Sequence, residues 1–103
     1  MTKGAQLVTL QGDLDAQESA RARQLVRPLF DAQVAIVDLR DVTYVDSRTI
    51  MIFFELKKGM RDGAVLRLIS GDASMEKLLH IAGIDKIAEI YPSLEAAKAV
   101  IPA

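Results

Sequence analysis

The segment Val34 to Leu39, VAIVDL, constrains the fold more than any other stretch of this chain. Its apolar, largely β-branched residues run almost without interruption instead of alternating with polar ones, the pattern of a strand covered on both faces. Such a strand needs neighbours in a sheet and further elements packed above and below it, and the remaining sequence offers both. Leu7 to Leu10 forms a short β-prone run closed by Gly12, Ala64 to Ser70 (AVLRLIS) is a third strand between Gly63 and Gly71, and Ala88 to Tyr91 is a short fourth that stops at Pro92. Helical signals fill the intervals: Ala16 to Phe30 with Pro28 near its end, Ser47 to Arg61, Ser74 to Ala82 and Leu94 to Val100. The order βαβαβαβα predicts an α/β fold, a largely parallel or mixed sheet with helices packed against it. With 103 residues and no internal repeat, linker or low-complexity tract, the chain is expected to be one domain, 1–103.

Helix-end chemistry supports this placement. Ser93 precedes Leu94 as a cap with Glu95 in the first turn, where a negative charge suits the helix dipole. Asp72 or Ala73 begins the third helix, and Gly83 ends it, since glycine accepts the left-handed backbone conformation.

Composition removes several function classes. Thirteen Lys and Arg against fourteen Asp and Glu leave a formal charge of −1, too little field to hold nucleic acid. There is no cysteine and a single histidine, His80, so neither a disulfide frame nor a thiolate or His-rich metal site is expected. No run of eighteen apolar residues and no signal-like N-terminus occurs, which points to a cytoplasmic protein without direct membrane insertion. No nucleophile, acid and base are spaced together, and Gly71-Asp72 lacks a following Gly-Lys, so no enzyme and no cofactor are expected.

The second helix carries more apolar residues than a core needs. At about 100° per residue, Thr49, Ile52, Phe53, Leu56 and Met60 gather on one side as a core stripe. Met51 and Phe54 fall on the opposite side among Ser47, Glu55, Lys58 and Arg61, with Ile50 at the margin near Lys57. These surplus apolars are either scattered surface residues or the centre of a partner-binding patch. If they form a patch, Met51→Asp and Phe54→Asp weaken partner binding and leave the fold intact. Asp46-Ser47 opens the helix. An Asp or Ser there is ordinarily a plain N-cap, but a serine at a helix mouth is also well placed for phosphorylation, because the dipole and free N–H groups stabilise the added charge.

The segment VAIVDLRDVTYVDSRTI resembles the centre of STAS domains, the sulfate transporter and anti-sigma factor antagonist family: a buried strand ending in Asp-Leu, a short loop with an aromatic, then Asp-Ser opening a helix. LVTLQGDLDA is similar to the family's early strand and Gly-x-Leu-Asp turn, AVLRLISGDASMEKLLHIAGIDKI to its third strand and following helix, and IYPSLEAAKAV to its last strand and terminal helix. The resemblance implies a mixed or parallel sheet of four to five strands flanked by about four helices, and binding instead of catalysis. It further implies an anti-sigma factor antagonist that binds a serine kinase doubling as anti-sigma factor, with Ser47 as phosphoacceptor and Asp46 as its acidic neighbour. Asp13, in the early turn, would lie near the same face. The partner-binding set is then Asp13, Asp46, Arg48, Ile50, Met51, Phe54, Glu55 and Lys58.

Two departures stand out. Many antagonists continue Asp-Ser with Ser or Thr and then Gly-Leu-Gly, where this chain has Arg48, Thr49, Ile50 and Met51. Arg48 is placed either to pair with a phosphate or a partner's acid, or to obstruct the kinase; Thr49, a second hydroxyl, is directed towards the core. The first strand of the family's N-terminal hairpin is short or missing. These departures keep open an alternative, a constitutive STAS subunit of a lipid-transport ATP-binding-cassette or stressosome-like complex with no phosphorylation cycle.

Overall fold

The apolar run becomes part of the second strand of a four-stranded, all-parallel sheet in the computed structural model, which describes residues 3–15 and 17–99. The elements follow as β1 (Lys3–Leu14), α1 (Ser19–Val26), β2 (Ala32–Val45), α2 (Ser47–Gly59), β3 (Val65–Ile69), α3 (Ala73–Ile81), β4 (Glu89–Tyr91) and α4 (Leu94–Ala99). Strands stand side by side in chain order, β1-β2-β3-β4, and every adjacent pair is parallel. The expected α/β architecture is therefore realised with four strands and no antiparallel member among the described residues.

Alternate residues of VAIVDL reach two different cores. Ala35, Val37 and Leu39 join Leu66 and Leu68 of β3 under α1, α2 and α3, which contribute Ala22, Val26, Ile52, Phe53, Leu56, Met75 and Leu79. Val34 and Ile36, with Ile69, turn to the other face and meet Ala97 of α4, flanked by Tyr91 and Leu94. Among the described residues, three helices thus cover one face and a single short helix part of the other. The second face also holds Arg67, only 2% exposed. Its Nε donates to Glu89 (2.8 Å), its Nη1 to the Ala97 carbonyl (2.8 Å), and the guanidinium lies 5.8 Å from the centre of the Tyr91 ring. A buried cation needs such partners, and here they join β3, β4 and α4.

Element boundaries differ from the sequence reading in three informative places. The expected first helix is cut in two: α1 ends at Val26 and a 3-10 turn, Arg27–Asp31, takes over with Pro28 in its first residues. Proline has no N–H for an α-helical bond and clashes with the carbonyl four residues back, so it belongs at a helix start, not near its end. Ala16 and Val100, the expected limits of the first and last helices, lie outside the described residues. β1 and β2 are both much longer than the apolar runs that announced them, and the short loop expected between Leu39 and Asp46 is strand. DVTYV does not alternate strictly, since Val42 and Val45 are buried and both Thr43 and Tyr44 between them are exposed, and it stays paired with the end of β1 through two register shifts. Remaining boundaries move by one or two residues, as fraying ends do.

Candidate functional site

Asp46 sits at the junction of β2 and α2 with an extended backbone (φ −94°, ψ 178°). Its Oδ1 accepts from the backbone N–H groups of Arg48 (3.0 Å) and Thr49 (3.1 Å), two of the donors a helix start leaves unpaired. Asp46, not Ser47, is therefore the N-cap. Ser47 becomes the first residue of α2, and its side chain is exposed. The junction is pinned to β1: the Leu14 carbonyl accepts from the Asp46 N–H and from Thr49 Oγ1, each at 3.3 Å. Thr49 is fully buried, as its predicted direction required. Asp13 pairs in register with Tyr44, three residues before Ser47, at the same carboxyl edge of the sheet, and it is exposed.

Along α2 the exposed residues are Ser47, Arg48, Met51, Glu55, Lys58 and Gly59, with Met51 at 55%. Met51 is one turn beyond Ser47, so hydroxyl and thioether side chain lie on one face. Glu55 is already engaged, in an ion pair with Arg23 that ties α1 to α2. The expectation that Phe54 and Ile50 are surplus to the core is corrected here: both are partly buried and pack against the main core. A helical wheel assumes one flat core surface, whereas α2 has neighbours on both flanks, α1 on one and the 3-10 turn Ile84–Lys86 on the other. Ile50 and Phe54 share the flank of Lys57, whose ammonium donates to the Ala64 carbonyl at 2.8 Å.

The sequence reading missed Tyr44, Leu78 and Ile81. Tyr44 is 52% exposed on the last turn-free residues of β2, and Ile81 is 77% exposed on α3. Tyr44 and Leu78 face a small concavity that also includes Asp72, Ser74 and Met75, and so extend the apolar surface from the Ser47 junction towards α3. The signal was present for Ile81, which lies off the stripe marked by Met75 and Leu79 just as Met51 lies off the stripe of α2; Leu78, three residues after Met75, falls within the i, i+3, i+4 pattern of a core stripe.

Behind this edge, buried Asp38 receives Arg40, whose backbone N–H and Nε donate to Oδ1 (both 3.0 Å) and whose Nη2 donates to Oδ2 (2.7 Å). The Arg40 guanidinium holds the Asp38 carboxyl below its ordinary pKa, against the opposing effect of burial. The stem of Arg40 in turn lies on Gly71, where a Cβ would come within 2.8 Å of Arg40 Cγ and where φ is +81°. That glycine begins the turn into α3, which Asp72 caps by accepting from the Met75 N–H at 2.8 Å.

Among the described residues no group of three or more His, Cys, Asp or Glu side chains could hold a metal ion. His80 lies on the surface of α3 beside Glu76 and Asp85. No helix of the described residues is long and apolar enough to cross a membrane.

A family model described as STAS domain matches residues 2–97. No curated protein matches the sequence. Among solved structures, an anti-sigma factor antagonist from Mycobacterium paratuberculosis superposes with a TM-score of 0.86 at 17% identity, over 98% of this chain and 88% of that one. A sulfate transporter family protein from Wolinella succinogenes gives 0.75 at 16% identity, over 92% and 82% of the two chains. The anti-sigma factor antagonist SpoIIAA in its unphosphorylated form gives 0.68 at 13% identity, over 93% and 86%.

Proposed function

This chain belongs to the STAS domain family over residues 2–97, and we propose that it is an anti-sigma factor antagonist-like docking protein, released from its partner by phosphorylation of Ser47. The observation that carries this reading is the division of labour at the α2 start. Asp46 does the capping, which leaves the neighbouring Ser47 hydroxyl exposed and one turn from exposed Met51. A phosphate there would bring about −1.5 to −2 charges next to the Asp46 carboxylate and into an apolar contact surface. Docking that buries Met51 and Tyr44 would then have to desolvate that charge, and the complex opens. Asp13, Arg48 and Lys58 rim the surface; Ile50 and Phe54 support it from the core side, and Glu55 contributes through its pair with Arg23.

Arg48, exposed beside Ser47, favours a second reading in which the same face holds a constitutive partner such as a transporter subunit. The two separate on one experiment. The chain is incubated with the serine kinases encoded beside it or elsewhere in its genome, and phosphate is located by mass spectrometry. The switch predicts modification at Ser47, loss of kinase binding once modified, and binding locked on in Ser47→Ala. Modification elsewhere with Ser47 untouched would overturn it, and unchanged binding of Ser47→Glu to the partner would favour the constitutive subunit.

A further inference from the structure

The face of the sheet that carries α4 holds an apolar groove of about 360 Å³, walled by Ala5 and Leu7 of β1 and by Val34 and Ile36 of β2. That volume is at the small end of ligand pockets, about 300 to 1,000 Å³. Leu7 is 44% exposed along it. Two charged side chains also line the groove, Arg67 of β3 and Lys98 of α4, and both are cations. Lys98 is exposed at the rim. Arg67 is 2% exposed and stands in register with Ile36 inside the sheet. A guanidinium carries N–H donors on every nitrogen, and burial is costly for each donor left without an acceptor. Glu89 takes Nε and the Ala97 carbonyl takes Nη1. Glu89 does so with Oε1 alone, and the same oxygen accepts from Tyr91 Oη. Among the described residues Nη2 makes no hydrogen bond. No side-chain nitrogen or oxygen sealed from solvent lacks a partner there, so Nη2 is not sealed. It opens to the surface that Arg67 lines, which is the groove.

We propose that the groove binds a carboxylate carrying an apolar chain, a medium-chain fatty acid in chemical class. The carboxylate accepts from Arg67 Nη2, with the Lys98 ammonium close by, and the chain lies on Leu7, Val34 and Ile36. A carboxylate supplies the acceptor that Nη2 lacks, in a charge-assisted hydrogen bond, and the apolar walls strengthen that pair by keeping water from it. Each half of the ligand has its own wall. An inorganic anion leaves the apolar residues unused, and a neutral lipid leaves both cations unused. The groove lies on the face of the sheet away from α2, so the inference stands apart from the Ser47 reading.

The test titrates the full chain with octanoate and follows backbone amides by heteronuclear NMR. Octanol and acetate are the controls, since one keeps only the chain and the other only the charge. Saturable shifts are expected at the amides of Leu7, Ile36 and Arg67, with a dissociation constant on the order of a millimolar. Octanol and acetate should each bind at least about tenfold more weakly. Leu7→Glu sets a like charge in the groove and should weaken octanoate by at least about tenfold, while its thermal melt stays at the parent's value because the position is exposed. Lys98→Gln should weaken octanoate by about threefold and leave octanol unchanged. Octanol or acetate binding as well as octanoate, shifts confined to another face, or a Leu7→Glu chain that binds octanoate as the parent does would each overturn the proposal.

Discussion

Asp38 shows how one buried charge can be both costly and useful. Its carboxylate is almost entirely shielded from water, and four hydrogen bonds from Arg40 to its two oxygens offset that burial. The depressed folded-state pKa fixes the sign of its pH dependence. The group contributes stability that is fully present above its unfolded value, about pH 4, and is lost as pH falls through the lower folded value. Asp38→Ala should therefore cost about 2 kcal/mol at neutral pH. In urea titrations run from pH 7 down to pH 3, the gap between parent and variant should narrow only below about pH 4; a gap independent of pH would remove the charge from the explanation. Asp46 and Ser47 divide at the same scale. That one of the pair would cap α2 was legible in the sequence, but which one was not, because an N-cap is defined by backbone angles at the strand–helix junction.

At the scale of elements, α2 separates the legible from the illegible most clearly. Its core stripe, Thr49, Ile52, Phe53, Leu56 and Met60, is as the helical period predicts. Its opposite face is not, since Phe54 is partly buried against the main core whereas Met51 is exposed. The two aspartate substitutions should accordingly diverge. Met51→Asp should leave stability within about 0.5 kcal/mol and act only on partner binding. Phe54→Asp places a charge against the core and should cost about 2 kcal/mol, lowering Tm by roughly 10 °C. Equal thermal melts for the two variants would show that the flank is not packed. Elsewhere the first helix was read too long because Pro28 was taken as an ending when it starts a 3-10 turn, and β2 was read too short because its last third, where Val42 and Val45 are buried three residues apart across a register shift, carries no period of two.

At the scale of the molecule, α4 is the one helix on the second face among the described residues and is joined to the sheet through Arg67, the Ala97 carbonyl and the small apolar cluster around Ile69. Arg67→Ala should release that helix by about 2 kcal/mol without unravelling the three-helix side. Native-state hydrogen exchange would then speed up at the amides of α4 and hold at those of β2; a uniform loss of protection would instead mean that both faces unfold as one unit. The sequence by itself determined that VAIVDL must be buried on two faces, that strands and helices alternate, and that Asp46-Ser47 opens a helix with residues to spare, because these follow from local hydrophobic period and cap chemistry. Only the tertiary structure decided which helix covers which face, which of the spare apolars α2 keeps exposed, and that Tyr44 and Leu78 line one concavity. Each of those depends on contacts between residues far apart in the chain, and periodicity within one segment carries no information about what that segment will meet.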